Sequence, residues 1–130
     1  MAGEPVRIEL EVLLALHDRT IALHGGAEGV RDFGLLESAV MRPINRFRYD
    51  GMADLPTLAA LYADAISSNH PFADGNKRAA FQALTLFLRL NGMRLTASQV
   101  DAARTILSLA AGKLPLDGLA DWVRANCGPS

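Results

Sequence analysis

Apolar residues recur along most of the chain at intervals of three and four, the spacing of one face of an α-helix. The first such segment runs from Ile8 to His24, with Leu10, Leu13, Leu14, Leu16 and Ile21 on its stripe and Gly25-Gly26 as a stop. Asp32 is placed to cap a second helix carrying Leu35, Leu36, Ala39 and Val40, which Pro43 should end. Asp54 and Pro56 mark the start of a third helix, with Leu58, Leu61, Ala65 and Ile66, ending near Asn69. The fourth, from Asn76 to about Asn91, is apolar on most sides. Its stripe of Ala80, Phe81, Leu84, Phe87 and Leu88, with Leu86 and Leu90 outside it, predicts the central helix of a bundle. Thr96 to Gln99 reads as a capping box for a fifth helix with Val100, Ile106, Leu107 and Leu109. Asp117 is the expected cap of a last helix with Leu119, Trp122 and Val123.

Residues 44 to 55 break the pattern. "RFRYDGM" alternates charged and aromatic residues and leads into Asp50-Gly51, a hairpin turn pair, which predicts a short β-hairpin or flap. The resulting picture is an all-α bundle of about six helices with one small β excursion, a single domain over residues 1–130.

Composition narrows the function classes. Thirteen basic residues oppose fourteen acidic ones, so the chain as a whole carries no electrostatic footprint for direct nucleic-acid binding. Cys127 is the only cysteine, which rules out an intramolecular disulfide and suits a reducing cytoplasm. Glu4, Glu9 and Glu11 stand where an export signal needs basic and then apolar residues. No apolar run reaches the ~20 residues of a membrane span.

The densest chemistry is "SSNHPFADGNKRAAF", residues 67 to 81. Pro71 disfavours the α conformation at His70, so the third helix must turn a corner there. Phe72 has the character of an apolar pin. Gly75 permits positive φ and close approach of a ligand. The next helix then begins with unpaired N–H groups and the positive end of its dipole. Lys77 and Arg78 add two cations to that end, where cations cost stability, a conflict that a bound anion relieves. Asp74 beside phosphates is a carboxylate suited to Mg²⁺. A histidine at the edge of such a site can accept a proton from an attacking hydroxyl at neutral pH. Together these residues describe transfer of a phosphorus-centred group to a hydroxyl. On the residues alone a second reading stays open: a plain helix connection, with Asn69 as C-cap, Asp74 as N-cap and the two cations solvated.

"HPFADGNKR" resembles the signature of the Fic/Doc family, His-x-Phe-x-(Asp/Glu)-(Gly/Ala)-Asn-(Gly/Lys)-Arg, and matches it at every specified position. "LLALHDRTIALHGG", "GVRDFGLLESAVMRP" and "LFLRLNG" look like the corresponding segments of the Doc, or death-on-curing, branch, so the resemblance covers essentially the whole chain. The resemblance implies a Fic/Doc-type bundle and a toxin of a type II toxin–antitoxin module. By it, His70 would be the general base and Asp74 would hold Mg²⁺. Phe72, Gly75, Asn76, Lys77 and Arg78 would form the ATP-binding set. The loop around Phe47 and Tyr49 would be the flap on which a target segment docks in extended form.

The family divides by chemistry. Fic enzymes mostly transfer AMP from ATP to a protein hydroxyl, whereas Doc transfers the γ-phosphoryl group to elongation factor Tu and arrests translation. Fic enzymes carry a second glycine where this chain has Lys77, and AMP-transferring members carry an arginine where this chain has Phe81. Both departures imply the Doc chemistry. Pro71 and Gly75 are the Fic choices, so the target is left open. No serine or threonine is followed at the right spacing by the glutamate of the inhibitory-helix pattern found in many Fic proteins. A separate Phd-like antitoxin is therefore the expected restraint, with contact to nucleic acid only through that complex. A catalytically silent antitoxin-binding partner is the remaining class, and a complete motif argues against it.

Other features invite blander readings. His17 and His24 share a face of the first helix but are too few for a zinc site, so they are expected as surface or core-edge histidines. Cys127 has no base beside it and is not expected to act as a nucleophile. Arg42, Arg46 and Arg48 form a basic cluster that suits either an acidic partner or solvent. Trp122 is expected as a core anchor.

Overall fold

A computed structural model describes residues 3–130. Its helices are α1 (Leu10–His24), α2 (Phe33–Asp50), α3 (Leu55–Asn69), α4 (Asn76–Leu90), α5 (Gln99–Ala110) and α6 (Leu116–Ala125). Two short strands, β1 (Met93–Leu95) and β2 (Cys127–Pro129), pair antiparallel with Arg94 opposite Gly128. The all-α class and the six helices agree with the apolar periodicity, and no helix among the described residues is long and apolar enough to cross a membrane.

The central helix is α3, where the hydrophobic pattern pointed to α4. Leu58, Ala59, Ala60, Leu61, Tyr62, Ala63, Ala65 and Ile66 are all at most 2% exposed, so α3 is enclosed on nearly every side. Its alanines let α2, α4 and α6 approach closely, and its large side chains fill the space between them. α4 buries Ala79, Ala80, Ala83, Leu84, Phe87 and Leu88 and leaves Leu90 exposed, as a helix on the outside of a core does.

The expected hairpin over residues 44 to 55 is not formed. α2 continues through Pro43 to Asp50. A proline inside a helix forfeits one hydrogen bond and crowds the carbonyl four residues back. Here Pro43 and Ile44 are buried on the same face as Leu36, Ala39 and Val40, so the packing of one continuous stripe outweighs that local cost. Asp50-Gly51 closes the helix instead of turning a hairpin. Gly51 lies at φ 69° and ψ 18°, its N–H donates to Phe47 O at 3.0 Å, and Met52 N donates to Arg46 O at 3.2 Å. This is an αL cap, which needs the same positive-φ glycine as a hairpin turn, so the two cannot be told apart from the dipeptide. The paired strands lie elsewhere, where β2 joins the end of α6 to the segment after α4.

Capping follows the sequence in part. Asp32 accepts from Leu35 N at 3.0 Å and Asp54 from Thr57 N at 3.2 Å, as their positions foretold. For α5 the cap is Ser98, accepting from Asp101 N, two residues past Thr96. α6 is preceded by Pro115, and Asp117 lies within its first turn.

Asp54 also receives the guanidinium of Arg124 from α6. Partial burial pushes its carboxyl pKa up, but hydrogen bonds from Thr57 and Arg124 and the charge of Arg124 outweigh burial and hold it below the ordinary value of 3.8. A depressed folded-state pKa stabilises the fold above the unfolded value and is lost as pH falls through the folded one. The pair is largely exposed, so solvent screens it and its electrostatic part is small, while asparagine would keep the cap because it can accept from the same N–H. Asp54→Asn should therefore melt slightly below the parent at neutral pH. The gap should narrow once the pH drops below the free-carboxylate value, as read from melting midpoints across a pH series.

Candidate active site

The loop between α3 and α4 carries the motif, and its shape is set by contacts from distant parts of the chain. His70 caps α3 in the left-handed region, at φ 47° and ψ 56°, the one non-glycine residue with positive φ among those described. Pro71 O accepts from Arg31 N at 2.7 Å and from Asp32 N at 3.1 Å, and Ala73 N donates to Gly29 O at 3.0 Å. These bonds surround an isolated antiparallel bridge between Val30 and Phe72. The segment before α2 is thus laced to the motif as a short ribbon.

Phe72 is 1% exposed, and its ring stacks on His17 with centroids 3.8 Å apart and planes 8° from parallel. His17 is itself buried, and its Nε2 lies 2.8 Å from Asp74 O. That acceptor requires the proton on Nε2. The Asn76 side chain closes the loop from the other side: its Oδ1 accepts from Phe72 N and its Nδ2 donates to Phe72 O, both at 3.0 Å. Motif residues Phe72 and Asn76 therefore build the loop, and Phe72 lies in the core, contributing nothing to the lining of the cavity.

The other motif residues, Asn76 among them, meet at one open cavity of about 1030 Å³. His70, Asp74, Gly75, Asn76, Lys77 and Arg78 line one side of it. Ile21 and Gly25 of the α1 end lie beside them, and Phe81 with Ala102, Ala103, Ile106 and Leu107 of α5 gives the opposite, apolar side. The cavity joins a polar floor to a greasy wall, as small-molecule sites commonly do. No side chain caps α4: its N-cap is Gly75 at φ 76°, and Asp74 does not reach into the first turn beyond Gly75 N. The N–H groups at the start of the helix are left for a ligand, and exposed Lys77 and Arg78 flank them.

Asp74 is exposed at the mouth. One carboxylate oxygen accepts from Gly75 N at 2.8 Å and the other from Ala27 N at 3.3 Å, so each keeps a lone pair. A Cβ at Gly26 would stand 2.7 Å from Asp74 Oδ2, and Gly26 has φ +116°, so only glycine lets the α1–α2 loop pass this close. Among the described residues no three His, Cys, Asp or Glu side chains converge. The donor set therefore fits Mg²⁺, which takes one or two carboxylates and completes its shell with water and substrate oxygens.

Two long-range contributors escaped the sequence reading. His17 falls four residues after Leu13 and four before Ile21, both buried, so its place on the inward face was legible in the spacing although its partner was not. Arg31 gave no local signal. His24 is exposed at the end of α1, away from the core position of His17. Arg42 pairs with Asp64 at 3.2 Å and Arg46 with Asp50 at 2.9 Å, so two of the three clustered arginines are engaged within the chain. Trp122 packs against the core and donates its Nε1–H to Asp101 at 3.0 Å. Cys127 lies in β2, away from the cavity, and burial pushes its thiol pKa up, the wrong direction for a nucleophile. Phe47 sits half-buried in the last turns of α2, with Tyr49 83% exposed beside it. That region is helical and offers no strand edge for an extended target segment.

A helical bundle with this loop at the mouth of a cavity places the chain in a defined class: it belongs to the Fic/DOC family, whose model matches residues 7–88. Within the family its relatives are of the Doc type. It is 37% identical over 117 residues to "Protein kinase doc" of Escherichia phage P1, covering 90% of this chain and 92% of the relative. It is 38% identical over 99 residues to "Toxin Doc" of Mycolicibacterium smegmatis (strain ATCC 700084 / mc(2)155), covering 74% and 76%.

Proposed function

We propose that this protein is a Doc-like toxin that transfers the γ-phosphoryl group of Mg-ATP to a hydroxyl of a translation protein of the elongation factor Tu type, and that a Phd-like antitoxin restrains it in the cytoplasm. The observation that carries the reading is the convergence of His70, Asp74 and the uncapped, cation-flanked start of α4 on one cavity. His70 is the general base, accepting the proton of the target hydroxyl on its imidazole. Lys77, Arg78 and the first N–H groups of α4 hold phosphate oxygens and oppose the charge that builds up on them. Gly75 lets those oxygens come close to the backbone. Asp74 would hold Mg²⁺, which neutralises phosphate charge when bound. Phe81 and α5 supply the apolar side of the cavity.

Phosphoryl transfer is favoured over AMP transfer by two side chains. Lys77 occupies the start of the helix with a long cation, and Phe81 puts a hydrocarbon ring on the wall where AMP-transferring relatives use a phosphate-binding arginine. AMP transfer is retained as the second reading because Pro71 and Gly75 follow the Fic pattern. Labelled ATP separates the two. The proposal requires that label on the γ-phosphorus reaches the target and label on the α-phosphorus does not. Transfer of the α-label would establish the second reading in its place.

A further inference from the structure

We propose that Arg31 is the positioning residue of His70. The inference rests on the reading of His70 as general base, and the argument for the contact is independent of which phosphorus is transferred. Arg31 Nε donates to His70 O at 2.7 Å and a terminal guanidinium nitrogen donates to Asn69 O at 2.9 Å. Its own backbone N–H donates to Pro71 O at 2.7 Å. One residue thereby holds three successive carbonyls, those of 69, 70 and 71, on both sides of the His70 α-carbon.

Those carbonyls need holding. The left-handed region costs an ordinary L-residue roughly 1–2 kcal/mol, and a residue before proline is drawn toward extended backbone instead. His70 violates both preferences at once. Relaxing to the extended region would rotate its Cα–Cβ bond and carry the imidazole away from Asp74 and the start of α4. The guanidinium opposes this by fixing the peptide planes on which that bond is hung. Its charge also sits against the negative end of α3, where a cation is favoured. The side chain is not needed for the fold itself: the pairing of residues 29–32 with 71–73 runs through backbone groups alone, and Arg31 is exposed.

Arg31→Ala and Arg31→Lys variants of the full chain test the role. The Ala variant should stay folded by circular dichroism and bind Mg-ATP with little change by titration calorimetry. Its turnover should fall by about 10²-fold, the scale of a displacement near 1 Å at the reacting centre. Lysine keeps the charge but lacks the planar fork that spans the two carbonyls, so it should recover part of the loss. In imidazole-selective NMR spectra the His70 resonance should be single in the parent and should broaden or move in the Ala variant, and this readout needs no turnover. A folded Ala variant with parental turnover, or with an unmoved His70 resonance, overturns the proposal, as does a loss of turnover matched by an equal loss of ATP affinity. If the Ala variant does not fold, the Lys variant decides: parental turnover with an unmoved resonance overturns the proposal, and partial loss with a shifted resonance supports it. Should the parent transfer no group to any target, the functional reading fails, while the NMR comparison still decides whether Arg31 holds His70.

Discussion

His70→Ala should remove transfer and leave the fold standing. A positioned general base contributes on the order of 10²–10⁴-fold to rate, so turnover should fall by at least that lower bound. Stability should change little, because the imidazole is exposed at the mouth of the cavity and makes no hydrogen bond that the core depends on. A small loss is expected from the backbone, since alanine tolerates the left-handed region that residue 70 adopts less well than histidine does. His70→Asn separates the two effects. Asparagine tolerates that region, so this variant should melt with the parent yet be equally inactive. Activity in either variant within a few-fold of the parent would remove His70 from the chemistry.

Phe72→Ala does the reverse. It takes away a ring that is 1% exposed and stacked on His17, beneath the motif. Deleting a buried phenylalanine costs about 3–5 kcal/mol, a large share of the roughly 5–15 kcal/mol by which domains are stable. The midpoint of urea unfolding should move by the corresponding amount with the slope unchanged. The bond from His17 to Asp74 O would also lose the surface on which the imidazole rests. A loss below about 1 kcal/mol would mean that the ring is not the pin that its burial indicates. The pair of variants divides the motif into members that act on the ligand and members that hold the loop. Asn76 belongs with Phe72 through its side-chain bonds and also lines the cavity.

What could be read from the sequence was whatever depends on near neighbours. Asp32 and Asp54 announce helix starts because a cap acts across three residues. The grouping of His70, Asp74, Lys77 and Arg78 at one cavity was legible because they lie within one loop and one helical turn. The errors arose where a local rule met a distant contact. Pro43 should stop a helix, and does not, because the stripe it belongs to is buried against α3. Asp50-Gly51 carries a signal for positive φ that serves a hairpin or a helix end equally. α4 looked central from its composition, but the alanine-rich α3 is the helix that its neighbours enclose. The cavity wall from α5 and the contributions of His17 and Arg31 depend on groups far apart in the chain, 57 residues for His17 and 39 for Arg31 with His70, and no local pattern encodes such pairings.

On the proposed reading the cavity transfers a phosphoryl group and not a nucleotide. The most direct test is the intact mass of a purified elongation factor Tu-type target after incubation with the protein and Mg-ATP. A gain of one phosphoryl group, absent with the His70→Ala variant, is the predicted result. A gain of one AMP would contradict it.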